Sequence, residues 1–252
     1  MKMNRNFFST AIRGMILLVF FVTVNTVWAK KALVYKGPGS CTDGDCSGAA
    51  AHMAELEGFE IRFIGPKEIS PELFEGVDLY IQPGGQSAVL DVEMDAGLQQ
   101  NIRNFVASGG AYVGFCAGGF FAMSHIGEPR DFTGLGLIDG EAFSFRELGS
   151  EVAAAILPVQ WFDQLIEIYW EGGPYFPEEY LPETAEIFGR YPSGKPSNIR
   201  SQYGLGRVTI TAFHPEAPES WRRYFGLKDQ DGLDYDQARE MIRWATSTPS
   251  PQ

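Results

Sequence analysis

The chain is short of cations, thiols and imidazoles. Its 252 residues include 20 lysines and arginines against 32 aspartates and glutamates, a net charge of −12, with three cysteines and three histidines. That negative surplus repels phosphate backbones and anionic headgroups, so nucleic acid and acidic membrane surfaces are excluded as partners. Soft ligands are few and none stands at zinc-ligand spacing, so no structural metal site is expected. No dinucleotide fingerprint follows any apolar run, and Ser193-Gly194-Lys195-Pro196 lacks the upstream glycine of a phosphate loop. The acidic run Asp229–Asp236 lacks the closing glutamate of an EF-hand, and acidic residues opening a last helix explain it better. Internal repeats are missing too. No cofactor is therefore expected, and any chemistry falls to side chains.

Long apolar runs are also missing, with one short exception. Lys2, Arg5 and Arg13 precede an apolar stretch, Met15–Val24, and Val27-Trp28-Ala29 offers a small-x-small cleavage site. The stretch is short for a bilayer span. Residues 1–29 are expected to be a signal peptide cleaved before Lys30, which places the mature protein in the periplasm or outside the cell, free of the membrane. Cleavage removes basic residues and no acidic ones, so the mature chain is more acidic still. In an oxidising compartment Cys41 and Cys46, five apart in a Gly/Asp-rich loop, can pair and leave Cys116 free. That loop reads as a short staple; its place after the first strand also admits a redox role beside Cys116.

The remaining length suits one domain over 30–246, with 247–252 as a Pro/Ser tail expected to be disordered. Strands are expected at Ala32–Tyr35, Glu60–Ile64, Val77–Ile81 and Ala111–Phe115. Helices are expected between them: one over Ala49–Leu56, another with Leu98, Ile102, Phe105 and Val106 on its apolar face. This alternation predicts an α/β fold with a mostly parallel sheet, whose ligands bind at the carboxyl ends of the strands. The second half reads as strands at Ile166–Trp170, Ala185–Phe188, Ile199–Tyr203 and Val208–Phe213. Gly204-Leu205-Gly206 marks a hairpin, and Ala238, Met241, Ile242 and Ala245 mark a last helix.

What stands at the strand ends is informative. Ala111–Phe115 runs into Cys116-Ala117-Gly118-Gly119-Phe120, an apolar strand, a glycine-flanked thiol and a helical pattern. That is the pattern of a nucleophile elbow. A thiol attacks as thiolate, which a following helix N-terminus and a nearby imidazole both favour. Gly114 and Gly118 make room for the turn. Phe213-His214-Pro215-Glu216 also follows an apolar run, and its two-residue spacing lets Glu216 hold one imidazole nitrogen while the other faces Cys116. Gln82-Pro83-Gly84-Gly85-Gln86 can expose backbone amides which, with Ala117, would form an oxyanion hole. Glu171-Gly172-Gly173, after another strand, reads either as a substrate contact or as a plain turn. His52 and His125 read as structural.

The runs ALVYKGPGS (32–40), IQPGG (81–85), GGAYVGFCAGGFF (109–121), EIYWEGGPYF (167–176) and FHPE (213–216) resemble the class I glutamine amidotransferase-like superfamily. More narrowly they resemble the domain at the N-terminus of some biotin-protein ligases, and its free-standing bacterial relatives. The resemblance implies a flavodoxin-like three-layer sandwich with a Cys-His-Glu triad. Cys116 would be the nucleophile, His214 the base and Glu216 the orienting carboxylate, with Gly85 and Ala117 supplying the oxyanion hole. Gly84, Glu171, Gly172 and Gly173 would border the substrate. Phe120 stands where glutamine-using members carry a polar residue, which argues against free glutamine as substrate. The expectation is an exported cysteine-dependent hydrolase acting on a small-molecule or peptide amide. The alternative is a binding module that keeps the elbow as structure.

Overall fold

The computed structural model describes residues 29–127, 131–149 and 151–247. All but the last residue of the expected signal peptide, and all but the first residue of the expected tail, lie outside the described residues.

The first half alternates as its apolar pattern predicts. Strands β1 (Lys30–Tyr35), β2 (Phe59–Ile64), β3 (Leu79–Gln82) and β4 (Ala111–Phe115) are separated by helices α1 (Cys46–Leu56), α2 (Ser87–Glu93) and α3 (Ala96–Ala107). Helix α4 (Ala117–Ala122) follows β4 directly, and β13 (Gly206–Thr211) joins from far along the chain. These five strands pair in parallel, in the order β2-β1-β3-β4-β13. Side chains alternate across the sheet, so one register row feeds one core. Leu33, Tyr80, Tyr112 and Val208 align and pack on one face with Leu98, Ile102, Phe105 and Val106 of α3. Val34, Ile81 and Val113 align on the other. They pack with Ala50, Met53 and Ala54 of α1 and with α6 (Tyr235–Thr246), which presents Ala238, Met241, Ile242 and Ala245. Helix, sheet and helix make the expected flavodoxin-like sandwich.

Beyond β13 the nine-stranded sheet turns antiparallel. Strands β12 (Pro196–Tyr203), β11 (Glu186–Arg190), β8 (Ala155–Trp161) and β9 (Gln164–Trp170) extend it. Gly204-Leu205 forms the two-residue hairpin between β12 and β13, with Gly204 at φ 60° as the turn requires. A second sheet, β10-β7-β5-β6, is made of β5 (Met123–Ile126), β6 (Phe132–Thr133), β7 (Ile138–Ser144) and β10 (Pro174–Tyr175). A short α5 (Glu219–Tyr224) completes the elements. Strand β3 starts two residues later than expected, because Val77 belongs to the turn after the 3-10 helix Pro71–Phe74.

The acidic run before α6 does more than open a helix. Arg222, almost wholly buried, donates to Asp229 and to Asp234, each at 2.7 Å, and Asp234 occupies the N-cap position without capping. A buried guanidinium needs such partners, since an unpaired charge there is strongly unfavourable. Glu167 meets Asp229 and Asp231 in the same cluster, a proximity that spacing along the chain did not suggest.

Candidate active site

The carboxyl ends of β3, β4 and β13 gather the residues singled out above. Cys116 follows β4 with φ 46° and ψ −100°, a strained backbone for a residue with a Cβ. Its neighbours hold it there. The Cys116 N–H donates to the Thr211 carbonyl of β13 at 2.9 Å, and its carbonyl accepts from Gly119 and Phe120. A Cβ on Gly114 would lie 2.5 Å from the Gly118 oxygen, and one on Gly118 would lie 2.1 Å from the Gln82 oxygen. Only glycine lets the turn close this tightly. The buried Tyr112 hydroxyl donates to the Gly118 carbonyl at 2.8 Å and fixes the elbow from below.

His214 and Glu216 sit just beyond β13. Both are buried, and Glu216 Oε1 lies 2.9 Å from His214 Nδ1. The His214 N–H donates to the Tyr169 carbonyl at the end of β9, which ties the antiparallel extension to the site. Tyr169 and Trp221 meet the imidazole edge-on, at 5.9 and 5.4 Å between ring centres. Burial opposes charge on His214, but Cys116 and then Glu216 overcome it by charge and hydrogen bonding, and the imidazole is held well above its ordinary pKa. The second oxygen, Glu216 Oε2, is buried and has no hydrogen-bond partner among the described residues.

Gly84 and Gly85 lie opposite. A Cβ on Gly84 would fall 2.2 Å from His214 Cε1, so this glycine makes room for the imidazole. Gly85, at φ 144°, forms an isolated antiparallel bridge with Ser40. Its hydrogen bonds run from Gln86 N–H to the Gly39 carbonyl and from Cys41 N–H to the Gly84 carbonyl. In such a pair the amides of the two facing residues are not spent on each other, so Gly85 N–H is left for another acceptor. Ala117 N–H opens α4 and has no intrahelical acceptor.

The turn after β9 closes over the thiol. Cys116 Sγ donates to the Glu171 carbonyl at 3.5 Å, and only 3% of Cys116 is exposed. The Tyr169 hydroxyl donates to Glu171 Oε2 at 2.8 Å, and burial followed by Glu171 raises its pKa. Glu171 and Gly172 are exposed, the latter at φ 68°. Gly173 is buried, and a Cβ there would meet the Ala212 oxygen at 1.9 Å, so only glycine fits this close approach. Cys41 and Cys46 are joined as a disulfide, with Cα atoms 5.3 Å apart. Sequence reasoning missed Tyr169 and Trp221 as neighbours of His214; an aromatic residue carries no signal of what its ring faces. Cavities of about 680 and 300 Å³ lie at the opposite end of the sheet, the larger between Asp78, Asn104, Gly110 and Arg207. His52 pairs with Glu55 and meets the Tyr235 ring edge-on, and His125 pairs with Asp131 and Glu141.

Sandwich and elbow together define a glutamine amidotransferase-like α/β protein. A solved glutamine amidotransferase superposes with a TM-score of 0.56, over 76% of this chain and 96% of that one, at 22% identity. Within that class, the chain belongs to the family of biotin-protein ligase N-terminal domains, whose model matches residues 30–243. The biotin–protein ligase of Schizosaccharomyces pombe is 24% identical over 180 residues, which cover 63% of this chain and 28% of that protein. The chain therefore spans little more than a quarter of that relative. The pyridoxal 5'-phosphate synthase subunit PdxT of Halorubrum lacusprofundi is 28% identical over 179 residues, 69% of this chain and 82% of that one.

Proposed function

We propose that this is an exported thiol-dependent amide hydrolase in which Cys116, His214 and Glu216 act as a triad. The observation that carries the reading is the buried His214, bonded through Nδ1 to Glu216 just beyond β13, the strand that pairs with the strand leading into Cys116. In the proposed reaction the Cys116 thiolate attacks the amide carbonyl carbon, and Gly85 and Ala117 amides receive the oxyanion. His214 gives its proton to the leaving amine as the C–N bond breaks, which leaves a thioester on Cys116. Water, deprotonated by His214, then attacks the thioester, and the carboxylic acid leaves as the thiol is restored. Glu216 keeps the imidazole oriented through both halves. Glu171 and Gly172, exposed over the sulfur, border the entry. The substrate is a small-molecule or peptide amide; Phe120 speaks against free glutamine.

A second reading has its own support. Cys116 is buried and already bonded to a backbone carbonyl, as in a binding module that keeps the elbow as structure. Iodoacetamide labelling of Cys116 against pH, in wild type and His214→Ala, separates the two. Labelling at neutral pH that collapses in the variant supports the hydrolase; slow labelling indifferent to the variant supports the module. With any amide that is turned over, Cys116→Ala must abolish turnover. Export is tested by N-terminal sequencing of protein recovered from outside the cytoplasm, which should begin at Lys30.

A further inference from the structure

The flanks of the thiol site come from distant segments, Gly84–Gly85 after β3 and His214 after β13. One small loop touches both. Residues 41–46 are closed by the Cys41–Cys46 disulfide, and Cys46 begins α1. On one side Cys41 N–H donates to the Gly84 carbonyl at 3.2 Å, which ties the glycine pair to this loop, while Gln86 N–H donates to Gly39 just before it at 2.8 Å. On the other side Trp221 Nε1–H donates to the Gly44 carbonyl at 2.7 Å. The same indole meets His214 at 5.4 Å and Tyr169 at 5.7 Å. Gly44 is in close contact with it, since a Cβ there would lie 2.8 Å from the ring. Cys46, Tyr169, Ala217 and Trp221 form a small apolar cluster of their own, separate from the two main cores.

We infer that the disulfide-closed loop and Trp221 form a brace that positions His214 and the Gly84–Gly85 amides together, so that Cys116 is reactive only while Cys41 and Cys46 are oxidised. The inference rests on the thiol chemistry proposed above. Cys41, Cys46 and Trp221 are positioning residues, because none of them touches the reacting atoms. Thr42, Asp43 and Asp45 are exposed, and inside the loop the backbone bonds run only from Asp45 to Thr42 and from Cys46 to Cys41. Covalent closure, together with Asp45 capping α1 through the Gly48 N–H, keeps the Gly44 carbonyl at the indole. A dithiol reductant supplies two electrons and two protons: the Cys41–Cys46 bond breaks, two thiols form, and the reductant becomes a disulfide. The loop is then free to withdraw from both flanks.

The test is the pH profile of Cys116 alkylation, read by mass spectrometry of its peptide, in Cys41→Ser/Cys46→Ser and in Trp221→Phe. Circular dichroism and melting show that each variant is folded. Trp221→Phe keeps a ring beside His214 and loses the bond to Gly44. His214→Ala supplies the profile of an unassisted thiol. Both brace variants should label at least about tenfold more slowly at neutral pH, with profiles moved toward that reference, since small misplacements of a reacting group are costly. Unchanged or faster labelling in them, while His214→Ala is slow, overturns the brace and leaves the thiol chemistry standing. Unchanged labelling in His214→Ala as well overturns the thiol chemistry, and the brace with it. If the double variant does not fold, Trp221→Phe and wild type treated with dithiothreitol decide by the same criteria.

Discussion

Gly84→Ala is the sharpest test of how His214 is positioned. The added methyl would lie 2.2 Å from His214 Cε1, 3.0 Å from Nδ1 and 3.3 Å from Nε2. Carbon atoms rest about 3.5–4 Å apart, so the ring must retreat by more than an ångström or the loop must move. Neither is easy. The ring is bonded to Glu216 and edged by Tyr169 and Trp221, and the loop is pinned through the Gly84 carbonyl to Cys41. Overpacking of this kind costs about 1–3 kcal/mol of stability. A displacement of about 1 Å at a reacting group costs on the order of 10²-fold in rate. The variant should therefore melt lower and alkylate Cys116 on the order of 10²-fold more slowly than wild type. Gly65→Ala is the control, because its Cβ would sit 3.7 Å from the nearest atom, an ordinary contact. Wild-type alkylation in Gly84→Ala would refute the claim that the position of the imidazole governs the thiol.

Other perturbations should follow from the same geometry. Glu216→Gln removes the carboxylate that favours charge on His214, and should slow alkylation and any turnover by about 10²-fold; steady-state rates check this. Tyr112→Phe deprives the Gly118 carbonyl of a buried donor and should destabilise the fold by about 1–2 kcal/mol, read by denaturant unfolding. Asp234 gives a pH signature. Burial lifts its pKa to about 8, Asp229 and Asp231 add to the rise, and Arg222 opposes it. The unfolded chain ionises this group near about 3.9, so the folded state holds the extra proton between the two values. Its contribution is complete at the acid end and is lost as pH rises through about 8. Melting temperature should fall across that window, and Asp234→Asn should flatten the fall.

The parallel half of the fold was legible because its strands are buried on both faces and read as unbroken apolar runs: ALVY, LYI and AYVGF. The elbow was legible because a glycine-flanked thiol between an apolar strand and a helical pattern is a local signature, and Gly114 is dictated by the Gly118 oxygen within the same turn. Strands β5, β6, β7, β8 and β10 were not. In β8 buried Leu157, Val159 and Trp161 alternate with exposed Pro158 and Gln160, an alternation that the proline argues against, and β10 and β6 are two-residue pairings that exist only because β7 and β5 lie beside them. At the site, the spacing of His214 and Glu216 foretold their bond. The role of Gly84 did not show, since the atom that forbids a side chain there belongs to a residue far along the chain. The same holds for Glu171, whose main-chain oxygen, not its carboxylate, meets the sulfur.

Parallel strands give the molecule a direction. The thiol lies where β3, β4 and β13 end, whereas Lys30 begins β1 at the other pole. Trp244 and Ser247 accept there from Arg207, level with the start of β4. Both ends of the described chain therefore leave from the pole opposite Cys116. Anything attached at either end, whether an apolar leader that stays in place, an affinity tag or a coupling to a solid support, would hold the protein with its thiol facing outward.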